Sequence, residues 1–320
     1  MMFPGAPEPF LDLSTGINPH PYPVPQLPAE VFARLPDSAA LTELAAAAAT
    51  EYGAPSPAHV ACAPGTQILL PLVAGLVRPA GAAVLSPTYA EHARAARLAG
   101  HDVAEAPDLA AVAAADLAVV TNPNNPDGRL FDKDALLALA AHIGRRGGLL
   151  VVDETFADPA PFLGLAGDLA RGNIVVLRSF GKFFGLAGIR LGFALAEPRL
   201  TRRIAAMLGP WAVSGPALAI GLTALSDVAW IERARRDLAA ASERLATMLR
   251  DVGLELVGGT ALFQLAQTPD AMALFRHLGR AGILTRAFPD HSTWLRFGLP
   301  AHEQDWQRLQ SALAAFQGRG

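Results

Sequence analysis

Ser179-Phe180-Gly181-Lys182-Phe183-Phe184-Gly185-Leu186-Ala187-Gly188-Ile189-Arg190 is the stretch on which the reading of this chain turns. It follows the apolar run Ile174-Val175-Val176-Leu177, which reads as a strand buried on both faces. Lys182 is one of two lysines in 320 residues. The other, Lys133, sits in Asp132-Lys133-Asp134 at an expected helix start and reads as a solvated surface residue. An amine in an apolar, glycine-rich turn is poorly solvated, and desolvation disfavours its charged form. Lys182 is therefore a candidate Schiff-base nucleophile. The alternative is a lysine that snorkels to the surface.

The neighbours on either side weigh on that choice. Asp116 to Thr121 reads as a strand, and a rigid polar turn follows it, Asn122-Pro123-Asn124-Asn125-Pro126-Asp127-Gly128. Leu149 to Val152 is a second strand and delivers Asp153-Glu154; a carboxylate there needs a cationic partner. Asn125, Asp153 and Lys182 are 28 and 29 residues apart. One strand–helix–strand unit takes about 30 residues. The three therefore fall at the C-terminal ends of successive strands, the edge along which open α/β sheets bind ligands. Ile189 to Leu195 is expected to be a strand carrying Arg190. Upstream, Ala63-Pro64-Gly65-Thr66-Gln67 opens an apolar helix, and free N–H groups at a helix start suit a phosphate. Ala82 to Leu85 is a short strand, and Tyr89 just past it could stack on a ligand or sit half-buried at an edge.

Length and composition set the bounds. The chain is long enough for one large or two medium domains. A net charge of −3 gives no case for nucleic acid or an anionic membrane. A single cysteine, Cys62, excludes a disulfide framework and suits a reducing cytosol; it reads as a small core residue. Eight histidines without ligand-like spacing predict no structural metal. No secretory signal and no membrane span is expected. The organisation expected is an extended proline-rich arm over 1–30, a large ligand-binding domain over 31–210, and a linking helix with a small α+β domain over 211–320.

Taken together, Asn125-Pro-x-Gly, Asp153, Ser179-x-x-Lys182 and Arg190 resemble the signature of fold-type-I pyridoxal-phosphate enzymes of the class I/II aminotransferase family. The resemblance implies an α/β fold with a mainly parallel sheet in the large domain, a homodimer in the cytoplasm, and pyridoxal 5'-phosphate as cofactor. By it, Lys182 would carry the cofactor and Asp153 would pair with its pyridine nitrogen. Tyr89 would stack on the ring, and Asn125 would bond its phenolic oxygen. Ser179, Arg190 and the backbone at Gly65, Thr66 and Gln67 would hold the phosphate. Arg296 resembles the arginine that takes the substrate carboxylate, with Arg286 a second candidate for substrate anions. Gly16 and Asn18 would contribute from the arm.

The chain is most similar to the branch that contains histidinol-phosphate aminotransferases and the L-threonine-O-3-phosphate decarboxylases of cobalamin biosynthesis. Three stretches favour the decarboxylases: Asn-Asn-Pro-Asp-Gly at 124–128, residues 177–185, and Trp294 to Pro300 with the opening Leu13 to Pro19. The rival is an aminotransferase with the same residues. Phe156 stands where many aminotransferases have a tyrosine, and Leu35 where a tyrosine often reaches a neighbouring subunit's cofactor. A ligand-sensing regulator would carry a DNA-binding module. A P-loop is excluded because no lysine adjoins the Gly65 turn.

Overall fold

The computed structural model describes residues 3–316. They form two compact units. The larger runs from Tyr22 to Asn125 and from Leu130 to Arg233. The smaller takes the residues up to Pro21, the short segment Pro126–Arg129, and the chain from Ala234 onward.

The larger unit is built on a seven-stranded sheet. Its strands are β1 (Val60–Ala63), β2 (Gly81–Leu85), β3 (Asp102–Ala106), β4 (Leu117–Thr121), β5 (Leu149–Asp153), β6 (Ile174–Ser179) and β7 (Gly192–Ala196). Their order is β1-β7-β6-β5-β4-β2-β3. β3, β2, β4, β5 and β6 pair in parallel, while β7 runs antiparallel to both β6 and β1. Every residue of β4, β5 and β7 is buried. That is why these strands read as unbroken apolar runs rather than alternating ones.

Helices cover both faces. On one face α2 (Thr66–Ala74), α3 (Glu91–Leu98) and α6 (Pro198–Leu208) bury Leu70, Val73, Ala96 and Ile204 against Val119, Val151 and Leu177. Each fully buried Val or Leu is worth about 1.5–3 kcal/mol. On the other face α1 (Ser38–Tyr52) ends with Tyr52 edge-on to Phe193 at 5.6 Å. Asp37 caps its start by accepting from the Ala39 N–H at 2.9 Å, and Gly53 ends it in the left-handed region at φ 75°. Between β4 and β5 runs α4 (Lys133–Gly144).

One expectation fails here. Arg190 is not on a strand: it is a single left-handed residue, φ 54°, between the turn Ala187–Ile189 and the start of β7 at Gly192. The chain must reverse so that β7 can run antiparallel to β6, and Arg190 makes that reversal. Lys182 likewise lies on a one-turn helix, α5 (Phe180–Phe183), rather than an irregular turn. After α6, the helices α7 (Gly215–Ser226) and α8 (Val228–Asp251) follow, and the change of unit falls inside α8.

The smaller unit holds an antiparallel sheet of β8 (Glu255–Thr260), β9 (Phe263–Gln267), β10 (Arg286–Phe288) and β11 (His291–Gly298), ordered β10-β11-β9-β8. Two further helices, α9 (Ala271–Arg280) and α10 (Glu303–Ala314), belong to it. The first part of the arm is extended, as its prolines require, yet it is packed. Leu11 and Asp12 pair in parallel with Ile283 and Leu284, and buried Leu13 accepts from the Gly298 N–H at 2.7 Å. From Tyr22 onward the arm belongs to the larger unit. Among the described residues no helix is long and apolar enough to cross a membrane, and no cluster of His, Cys, Asp or Glu is placed to hold a metal ion.

Candidate active site

β4, β5 and β6 are neighbours, and their C-terminal ends deliver the Asn125 turn, Asp153 and Lys182 to one edge of the large sheet. Each is held by a different local device.

Asp153 is buried at 7% exposure. His92 Nε2, from the first turn of α3, lies 2.9 Å from its Oδ2, and the Thr155 N–H donates to Oδ1 at 2.9 Å. Burial alone would push the Asp153 carboxyl up; the His92 bond and the Thr155 bonds outweigh it and hold it below the usual range. Within the chain, the hydrogen-bond partner of this buried carboxylate is a buried histidine. Sequence reading missed His92. The available signal was its place three residues after Tyr89, in the first turn of the helix that follows.

Lys182 is half-buried, with Nζ 5.7 Å from the centre of the buried Phe156 ring. Its helix is fixed by an aromatic cluster. Phe180 stacks on Phe184 at 4.3 Å, Phe184 on Trp230 at 5.5 Å, and Tyr22 meets Trp230 edge-on at 5.2 Å. A side chain at Gly181 would come within 2.7 Å of the Ala187 backbone, so only glycine fits beside Lys182.

The Asn125 turn is pinned from both ends. The Asn122 amide bonds the Phe131 backbone twice, accepting at 2.9 Å and donating at 3.3 Å. Thr88 Oγ1 is 2.8 Å from both Asn124 Oδ1 and Thr121 Oγ1; donating to the first, it accepts from the second. Asn124 in turn donates to the Pro87 carbonyl at 2.9 Å. This mesh ties the loop that carries Tyr89 to the turn that carries Asn125. Tyr89 is 42% exposed, and its hydroxyl donates to Gln67 Oε1 at 3.1 Å.

Gln67 belongs to the first turn of α2. Gly65 precedes that helix at φ 85°, and a methyl group on it would come within 2.6 Å of Arg190 Nη2. The left-handed turn at Arg190 therefore aims its guanidinium at the Gly65 turn, where it also donates to the Ala187 carbonyl at 3.0 Å. Gly192 is equally constrained, since a side chain there would meet the Thr66 N at 2.6 Å. The start of α2 and a guanidinium converge on one cradle. Ser179, half-buried, ends β6. These features fit the group that the resemblance implies: a phosphate cradle kept clear by glycine, an aromatic ring at the strand edge, an ionised buried carboxylate and a half-buried amine.

In the smaller unit, Arg296 is 6% exposed and faces Arg286 in cross-strand register. Its Nη2 donates to the Ser14 carbonyl at 2.7 Å, and its guanidinium lies 4.9 Å from the Phe263 ring centre. Burial, then the charge of Arg286, pushes it down to about 10. Arg286 is exposed. Gly16 is buried at φ 61°, and buried Asn18 accepts from the His20 N–H at 2.9 Å.

The chain belongs to the class I and II aminotransferase family, whose model matches residues 12–313. Within that family it is 46% identical over 311 residues to a threonine-phosphate decarboxylase of Pseudomonas aeruginosa, covering 96% of this chain and 92% of that protein. It is 43% identical over 326 residues to a threonine-phosphate decarboxylase of Sinorhizobium sp, covering 98% and 94%. In fold it is similar to the crystal structure of histidinol-phosphate aminotransferase from Sinorhizobium meliloti in complex with pyridoxal-5'-phosphate. That TM-score is 0.81 at 22% identity, over 95% of this chain and 89% of that one.

Proposed function

We propose that this chain is a pyridoxal-phosphate-dependent decarboxylase. Its reaction converts L-threonine O-3-phosphate to (R)-1-amino-2-propanol O-2-phosphate and CO2, as a step of cobalamin biosynthesis. The observation that carries this reading is the 46% identity to a threonine-phosphate decarboxylase along 96% of the chain. When bound, the cofactor supplies an electron sink for the pair left at Cα as the carboxylate departs.

The residues divide the work. Gly65, Thr66, Gln67, Ser179 and Arg190 would hold the cofactor phosphate, Tyr89 would cover the ring, and Asn125 would bond its oxygen. Asp153, ionised, would pair with the ring nitrogen. Lys182 would hold the cofactor through its amine and would return a proton to Cα. Phe156 adds apolar cover beside the amine and no hydrogen bond. Arg296 and Arg286 take the substrate's anionic groups, and Gly16 and Asn18 line the substrate from the arm.

The working form in this reading is a cytoplasmic homodimer. Phe32, Leu35 and Trp211 are 67%, 67% and 59% exposed, an apolar surface that a second copy would cover; light scattering tests it.

The function is tested by mixing the holo-protein with L-threonine phosphate in the absence of any 2-oxo acid. Continuous CO2 release over many turnovers is the expected result. A single spectral change that stalls until 2-oxoglutarate is added marks an aminotransferase instead.

A further inference from the structure

Asp153 and Glu154 are consecutive, so their side chains point to opposite faces of the sheet. The Asp153 face carries the chemistry described above. On the other face lies an ionic cluster that the reaction, as described, does not use. Arg178, on β6, is 1% exposed. Its Nη2 is 2.6 Å from Glu154 Oε2, and its Nη1 donates to Asp158 Oδ1 at 2.8 Å. Both carboxylates are buried, at 0% and 2% exposure. Glu154 also accepts from the Leu165 N–H at 2.8 Å, and the Tyr52 ring lies 5.0 Å from the guanidinium carbon. Gly164 has ordinary backbone angles, φ −73° and ψ 146°, yet a methyl group on it would come within 2.5 Å of Arg178 Nη2.

One cation therefore grips both ends of the pentapeptide 154–158. Between the two grips lie Thr155, whose N–H bonds Asp153, and Phe156, whose ring faces Lys182. Arg178 is itself four residues before Lys182 on the same continuous segment. The cluster thus ties the segment that bears the amine to the segment that bears the carboxylate and the apolar cover. A fully buried ion triad is seldom the most stabilising filling for such a space, because desolvation offsets most of its attraction. It does fix geometry sharply.

We infer that Arg178 is a positioning residue: by clamping Glu154 and Asp158 it holds Phe156 against Lys182 and so fixes the orientation of the cofactor that Lys182 carries. The inference rests on Lys182 being the cofactor-bearing lysine. Borohydride reduction of the holo-protein, followed by mass analysis of the peptide that contains Lys182, checks that point separately.

The test uses two variants, Arg178→Lys, whose compact ammonium lacks the fork that sends separate nitrogens to the two carboxylates, and Gly164→Ala, which adds only a methyl group against the guanidinium. Each is made alone and with Phe156→Ala. Two properties are read: the visible circular dichroism of the bound cofactor per unit absorbance, and kcat and KM with L-threonine phosphate. Because misplacement by about 1 Å costs up to about a hundredfold, kcat should fall at least about tenfold with KM within about threefold. The dichroism should fall at least about twofold, since productive orientation needs control to about 10–20°. In the Phe156→Ala background neither substitution should lower either quantity further. Lower thermal stability with unchanged dichroism and kcat would overturn the inference, as would equal losses in both backgrounds. If Arg178→Lys does not fold, Gly164→Ala decides alone.

Discussion

Arg178 and Arg296 are both almost fully buried, and their surroundings are opposite in sign. Arg178 lies between two carboxylates that more than offset its burial and push its pKa up. Arg296 lies among a carbonyl, an aromatic ring and a second guanidinium, and its pKa is pushed down to about 10. Burying a charge is costly, so a protein keeps one only where something balances it. For Arg178 the balance is internal and permanent. For Arg296 the neighbours include a like charge, and in the proposed function a substrate anion adds to the partners it has within the chain. Burial alone does not tell the two apart; the direction in which their charged neighbours push each group does.

The sharpest way to break this comparison is to remove each cation in turn. Arg178→Met leaves two buried carboxylates facing each other, and the expected loss is about 3–5 kcal/mol in urea unfolding. Adding Glu154→Gln and Asp158→Asn should recover most of it, because the uncompensated charge leaves too. A single Arg178→Met with an unchanged midpoint would mean the triad is not the balanced unit described here. Arg296→Met tests the proposed substrate contact instead: kcat/KM for L-threonine phosphate should drop about a hundredfold or more, the cost of truncating a buried charge partner. The rise in thermal midpoint on adding L-threonine phosphate should also vanish. Arg286 is exposed, so Arg286→Met should cost only about fivefold in KM, within the range of solvated ion pairs.

Asp153 offers the anionic counterpart and the smallest effect. Its folded pKa lies below the unfolded carboxylate value of about 3.9. The stability it contributes is therefore fully present above that value and is lost as pH falls through the folded pKa. The gap in unfolding free energy between the wild-type apo-protein and Asp153→Asn should be larger at pH 6 than in strong acid. In His92→Phe the Asp153 carboxyl should titrate at higher pH, because the bond that lowers its pKa is gone. Identical titration of Asp153 in wild type and His92→Phe would contradict that role.

Much of this was legible in the sequence because strands buried on both faces write continuous apolar runs, and because strand–helix–strand units repeat at a near-constant length. Those two regularities put the Asn125 turn, Asp153 and Lys182 on adjacent strand ends. The fold class followed from them and from the family signature. Arg190 was misplaced onto a strand because a lone left-handed residue has no periodic signal; only glycine usually advertises such a turn. His92 was passed over because a histidine on an alanine-rich helix looks like any other until the partner strand is known. Arg178 was hidden by its position. It extends an apolar strand by one residue, and its partners come from the segment after β5, whose irregular course no pattern announces. Glu154 was visible beside Asp153, but its opposite facing mattered only once Arg178 was known to wait there.

Which bond at Cα breaks can be read directly. L-Threonine phosphate is incubated with the holo-protein in D2O, without any 2-oxo acid, and followed by proton NMR. The account predicts 1-amino-2-propanol phosphate carrying one deuterium at C1, one CO2 per product, and recovered substrate that keeps its Cα proton. Recovered substrate that has exchanged its Cα proton, with no CO2 formed, would show that proton loss has taken the place of carboxylate loss and would contradict it.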